Sequence, residues 1–297
     1  MSDKRSLTPL ILLTTLSMIW GTSFILIKQG LKVFSGDEVG ALRVSAASLF
    51  LFPVALLRLR ELKQVHFGRL LAAGLMGTFF PAFLFGIAQT QITSSVAGIL
   101  NTLSPVWTVI MGALFFHQRF RLIAILGILI SFAGTILLTV SRSGGAIAGF
   151  NSYALLIVLA CVLYGTNLNW VKFKIADLGS ITITSVALTL IGPLGMIYLF
   201  GFTEFTHKLA VADGAWKAFG FIILLAFMST VVATLLFNKL VKIATPLYAS
   251  SVTYIMPVVS VMWGLLDDEQ LYVGHFIGMA LILGGVYLAN ARAKSEQ

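Results

Sequence analysis

Charge is what this chain has least of. Asp, Glu, Lys and Arg make up 10% of its 297 residues, against about 25% in a soluble domain whose surface must be wetted. A chain so poor in charge cannot clothe its outside in polar groups, so that outside meets something other than water. Cysteine is scarcer still. Cys161 is the single one, which excludes an intrachain disulfide and a cysteine-ligated zinc cluster and leaves a small buried hydrophobe as the simplest reading. The four histidines, His66, His117, His207 and His275, are scattered without metal-ligand spacing. The sequence has no His-Glu-x-x-His helix, no Gly-x-Ser-x-Gly elbow and no phosphate loop. Protease, hydrolase and ATP-driven pump readings therefore lack support, and neither a cofactor nor a metal is expected. Carboxylates are missing from the middles of the apolar runs, so no buried acid relay is visible.

Apolar length is what the chain has in excess. Hydrophobic residues reach 58% and mean hydropathy is +0.98. About 20 apolar residues carry a helix across the hydrocarbon core. Ten stretches meet or approach that length: residues 7–30, 39–57, 67–88, 93–116, 122–140, 152–171, 181–201, 218–240, 247–266 and 271–291. The first is longer than the hydrophobic region of a signal peptide, about 7–15 residues, and no small-residue cleavage site follows it, so it reads as a retained helix. The expected fold class is an all-α membrane protein with ten transmembrane helices.

The links are short and carry most of the charge. With the amino terminus in the cytoplasm, fourteen of the twenty Lys and Arg residues fall on inner segments, Arg58, Arg60, Lys63 and Arg69 among them. Six fall outside: Lys28, Lys32, Arg43, Arg142, Lys208 and Lys217. The positive-inside rule then puts both termini in the cytoplasm, which needs an even number of spans. The formal net charge of +9 is on this account a topology signal, and nucleic acid is excluded as a partner because the charges are scattered over short loops.

The sequence also resembles itself. Trp20-Gly21-Thr22 followed by Lys28 recurs as Tyr164-Gly165-Thr166 followed by Lys172. Pro105, Thr108 and Gly112 recur as Pro257, Ser260 and Gly264, and Gly127 and Gly134 as Gly278 and Gly285. This divides the chain into residues 1–143 and 144–297 with five spans each. Five is odd, so the second half must enter the membrane from the opposite side. Inverted repeats of this kind place a solute site near the midplane between the halves.

The segment from Trp20-Gly21-Thr22-Ser23-Phe24 to Lys28 resembles the first helix of the drug/metabolite transporter superfamily, EamA type. Ala41-Leu42-Arg43, the small-residue run from Ser94 to Ser104 before Pro105-Val106, and Asp268-Glu269-Gln270-Leu271 followed by Gly278 and Gly284-Gly285 are similar to that family too. The resemblance covers almost the whole chain and implies a ten-helix, two-repeat carrier in a bacterial inner membrane, exporting amino acids or related metabolites by alternating access. One departure stands out: where the family often has an acid after the fourth helix, this chain has Gln118, while the second repeat keeps Glu269.

Polar side chains at mid-span are costly and tend to be functional or paired. The candidates for binding a small solute are Trp20, Thr22 and Ser23 in the first span, Thr78 and Phe83 in the third, and Asn101 and Trp107 in the fourth. Tyr164 and Asn167 come from the sixth, and Tyr254 and Trp263 from the ninth. Ser104, Thr166, Ser229, Thr230, Thr234 and Thr253 lie at similar depth. Such groups either line a cavity with aromatic walls or hydrogen-bond between helices. Arg43, early in the second span, either snorkels to the interface or attracts a carboxylate. Pro105 and Pro257, at matched places, serve as hinges or as static bends. Lys28 and Lys172 read as interfacial anchors. The turn Asp267-Asp268-Glu269 is a solvated turn or an entry point for a proton. Gly274 and Gly278 form a packing face or a homodimer contact. The rival to a carrier is a membrane-embedded enzyme or a ligand-binding receptor without net transport.

Overall fold

A computed structural model describes residues 7–92, 94–142, 152–256, 258–259 and 273–289, and every regular element among them is a helix. Pro257, Trp263 and the turn from Asp267 to Glu269 lie outside the described residues, as do Ser260 and Gly264. Helices α1 (Thr8–Gly30), α2 (Gly36–Arg58), α3 (Gln64–Gly74), α4 (Phe80–Ala88), α5 (Ser94–Asn101), α6 (Ser104–Phe116) and α7 (Leu122–Arg142) make the first half. The second half holds α8 (Ala154–Lys174), α9 (Ser180–Gly201), α10 (Phe205–Val211), α11 (Ala215–Leu225), α12 (Ala233–Ile243), α13 (Pro246–Ser250) and α14 (Val273–Ala289).

Six continuous helical stretches are long and apolar enough to cross a membrane: Thr8–Gly30, Gly36–Glu61, Gln64–Ala88, Ala154–Lys174, Ser180–Gly201 and Ala215–Ile243. Ser104–Phe116, Leu122–Gly134 and Phe276–Ala289 are shorter apolar helices. The outward faces are greasy, with Leu57 78%, Phe202 76% and Trp216 69% exposed. In water these would be aggregation sites; against lipid tails they are at home. This is a multi-pass membrane protein.

Inside, small residues let backbones approach. On α2, Ser45 and Ser48 face Gly192 and Gly195 of α9, the kind of contact that holds helices together where lipid offers no hydrophobic drive. The most extensive helix pairing among the described residues is that of α7 with α14. A Cβ on Gly127 would meet the Gly285 carbonyl oxygen at 2.6 Å, and one on Gly134 would meet that of Gly278 at 2.8 Å. Between them the Ser131 hydroxyl donates to the Ile282 carbonyl at 3.1 Å. The four glycines matched along the sequence thus meet crosswise in space, and the Gly278 face is occupied within the chain.

Four helical runs among the described residues are irregular: the sequence suggested unbroken spans for the third and eighth, and a proline hinge or bend for the fourth and ninth. The run from α3 to α4 passes through a π turn at Leu75–Phe79, and that from α11 to α12 through another at Ala226–Val232. The fourth span breaks at Thr102 and Leu103 into α5 and α6. Pro105 then stands in the first turn of α6, where its missing N–H leaves no bond unmade. The ninth breaks at Ser251, between α13 and a helical segment over 252–256. The first irregularity of each type recurs about 150 residues later. The freed groups find local partners: the Ser104 hydroxyl donates to the Asn101 carbonyl at 2.8 Å, and the Cys161 thiol to the Leu100 carbonyl at 3.4 Å.

Candidate functional site

All four irregularities open onto one cavity of about 130 Å³. That is on the order of the void that takes up a benzene ring in a protein core. Gly74, Gly77 and Thr78 reach it from the first π turn and its approach, and Ser229 and Thr230 from the second. Asn101 and Ser104 flank the break between α5 and α6, and Ser250 and Thr253 flank the break at Ser251. Both halves of the chain contribute. Backbone that departs from the helix is tolerated in a membrane where it lines a cavity, and such places form solute sites.

The aromatic wall is built by Trp20, Phe24, Phe85, Tyr164 and Phe237. Trp20 packs edge-on against Phe237, centroids 4.9 Å apart, while its indole N–H donates to the Ser229 carbonyl at 2.9 Å. That carbonyl lies in the π turn, so the irregularity supplies the acceptor that orients the ring. Beside it the Ser23 and Ser229 hydroxyls are 2.6 Å apart. Arg43 enters from α2, and its Nε donates to the Thr230 hydroxyl at 2.7 Å. No carboxylate lines the cavity among the described residues.

Of the residues singled out in the sequence, Trp20, Ser23, Arg43, Thr78, Asn101, Tyr164 and Asn167 line this space. Four others lie elsewhere. The Thr22 hydroxyl donates to its own helix, to the Ile19 carbonyl at 2.8 Å. Phe83 packs between Phe79 and Tyr198, with centroids at 4.9 and 5.3 Å. Trp107 packs on the cluster of Ile157, Ala160 and Cys161. Tyr254 is fully buried toward α7, its hydroxyl donating to the Ile128 carbonyl at 3.3 Å.

Sequence reading missed Asn238 and Thr184. Both line the cavity, and the Asn238 amide donates to the Thr184 hydroxyl at 2.8 Å. A lone amide inside an apolar helix was the available signal, hidden by the adjacent Lys239. Phe24, Phe85 and Phe237 could not be told apart from the rest of the 23 phenylalanines.

Lys172 has a definite partner set: its ammonium donates to the carbonyls of Val241, Lys242 and Ala244 at 2.8–3.1 Å, closing the carboxyl end of α12. Gln118 donates to Asn169, whose amide in turn donates to the carbonyls of Thr108 and Gly165, both at 2.9 Å.

The chain is similar to known proteins in three ways. The model of the EamA-like transporter family matches the chain twice, over residues 7–140 and 151–291. The chain is 26% identical over 272 residues to an Archaeoglobus fulgidus protein named "Uncharacterized transporter", covering 91% of this chain and 94% of that one. It is 26% identical over 298 residues to the "Uncharacterized inner membrane transporter YedA" of Escherichia coli K12, covering 96% and 92%. It is also 25% identical over 283 residues to a "Probable amino-acid metabolite efflux pump" of the same strain, covering 91% of each. A solved crystal structure shares the fold with a TM-score of 0.72 at 19% identity, over 97% of both chains.

Proposed function

We propose, from the premise that the chain belongs to the EamA-like transporter family, that it is a secondary carrier that moves a small metabolite out of the cell. The solute is an amino acid or a related compound. Two inverted five-helix halves, residues 1–143 and 144–297, exchange conformations so that the cavity faces one side of the membrane and then the other. Four further crossings complete the ten, over the apolar stretches 93–116, 122–140, 247–266 and 271–291 of the sequence. Both termini face the cytoplasm, and the membrane is the bacterial inner membrane.

The observation that carries this reading is the cavity between the halves, built where two π turns and two helix breaks meet. The choice of amino acids leans on the efflux-pump relative. Cross-half bonds at both ends suit a carrier whose ends open in turn. At one end the Tyr198 hydroxyl donates to Asp37 at 3.0 Å and Lys208 to Glu38 at 2.8 Å. At the other, Arg69 donates to the Lys174 carbonyl at 2.9 Å and the Trp170 indole to that of Arg69 at 3.0 Å. The test is counterflow in proteoliposomes: vesicles loaded with an unlabelled amino acid should take up the labelled one transiently. A membrane enzyme or a receptor would give no exchange with any solute tried.

A further inference from the structure

Arg43 is the one formally charged residue among the described residues that line the cavity. Its Nε is held by the Thr230 hydroxyl at 2.7 Å, and that bond fixes the plane of the guanidinium. The edge formed by its two terminal nitrogens meets no acceptor among the described residues. The carboxylates nearest along its own helix are committed elsewhere: Asp37 to Tyr198, and Glu38 to Lys208 and the Ser35 N–H. A guanidinium within a membrane protein, unmatched by a carboxylate, is costly unless something else neutralises it. A second unfilled group shares the space. Asn167 lines the cavity, and its Oδ1 is buried with no hydrogen-bond partner.

We infer that the solute this cavity takes is a monocarboxylate, seated with its carboxylate on the free edge of the Arg43 guanidinium. The inference rests on the proposal that the cavity is the carrier's solute site. A carboxylate matches two parallel N–H donors, the geometry that makes such pairs strong. The rest of the solute lies against the aromatic wall, and an amino group on it finds the Asn167 acceptor, which is shielded in this structure, once that side chain turns toward it. One cation balances one carboxylate. A dicarboxylate would bury a second charge unmatched, and a cationic solute that lacks a carboxylate would meet Arg43 with nothing to offset it. Amides, amines and cationic drugs are therefore poor solutes here.

The experiment compares leucine, phenylalanine and their 2-oxo acids with leucinamide, phenylalaninamide, the corresponding amines and glutamate. Binding to the purified protein is read by thermal shift and by tryptophan fluorescence, and counterflow is measured separately. At least one monocarboxylate should bind about ten- to hundredfold more tightly than its amide, the loss expected for a charge-assisted hydrogen-bonded pair. Arg43→Gln should erase that advantage, and Arg43→Lys, which keeps the charge but not the paired donors, should retain part of it. Should Arg43→Gln not fold, the wild-type series and Arg43→Lys decide the matter. The inference is overturned if an amide or an amine binds as well as its acid, if Arg43→Gln keeps the preference, or if no monocarboxylate binds. Binding with the expected preference but without counterflow upholds it while sinking the carrier reading.

Discussion

Glu38 is only 1% exposed and holds the Lys208 ammonium at 2.8 Å, tying the first turn of α2 to α10 in the other half of the chain. The same carboxylate oxygen accepts the Ser35 N–H at 2.7 Å, so one atom both caps a helix and joins the halves. Lys208→Met should leave that carboxylate buried and half satisfied, at a cost of about 1–3 kcal/mol. Adding Glu38→Gln removes the charge and should restore part of the loss. Thermal unfolding of the two variants and the double variant in detergent checks this; an additive double variant would show that the pair is not coupled.

Two adjacent glycines in α14 should behave oppositely. A Cβ on Gly285 would meet the Ser131 N at 2.6 Å and the Gly127 carbonyl oxygen at 2.5 Å, whereas one on Gly284 would meet nothing within 4 Å. Gly285→Ala should destabilise by about 1–3 kcal/mol by forcing α7 and α14 apart. Gly284→Ala should be neutral or stabilising by up to about 1 kcal/mol. Equal effects in a melting assay would show that the two helices do not pack this way.

Replacing Trp20, Asn101 or Tyr164 by Ala should slow transport while leaving folded protein in the membrane. Each lines the cavity, and loss of a buried contact to a ligand costs about 1–3 kcal/mol, or roughly five- to a hundredfold in affinity. Tyr254→Phe removes a hydroxyl that faces the Ile128 carbonyl rather than the cavity, and transport should survive it. Normal kinetics in all three alanine variants would mean that these residues only pack.

Asp177, in the link between α8 and α9, gives a pH prediction. Desolvation opposes its ionisation, but its own backbone N–H, the hydrogen bond from His66 and the nearby positive charge outweigh this and hold the carboxyl below its ordinary value. The His66 Nδ1 accepts the Lys63 N–H at 3.0 Å, so Nε2 carries the proton it donates to Asp177 at 2.9 Å. A depressed carboxyl stabilises the fold above the unfolded pKa and loses that contribution as pH falls through the folded one. Asp177→Asn should therefore melt below wild type above about pH 5, and the gap should close below about pH 4. A gap that widens on acidification would contradict the assignment.

Orientation is open to labelling. In a Cys161→Ser background, a cysteine at Arg60 should resist an impermeant thiol reagent in intact cells, while one at Lys217 should react, because the fourteen-to-six split of basic residues puts them on opposite sides. Both positions are exposed on the protein. The reverse pattern would invert the topology.

The membrane class was readable from composition, because a chain with 10% charge has no aqueous surface to offer. The glycines at 127, 134, 278 and 285 were readable as a matched set, since only close backbone contact makes such spacing useful. Their meeting crosswise on α7 and α14 was decided by the tertiary structure. Periodicity marks where a helix runs but not where a turn takes an extra residue, so the π turns at Leu75–Phe79 and Ala226–Val232 left no trace in the pattern. Those turns decide which polar groups share one space. They bring Thr230 to Arg43 and the Ser229 carbonyl to Trp20. Tyr254, as prominent as Tyr164 in the sequence, went to a helix interface instead, because a residue's depth is written along the chain while the direction it faces is set by what packs beside it.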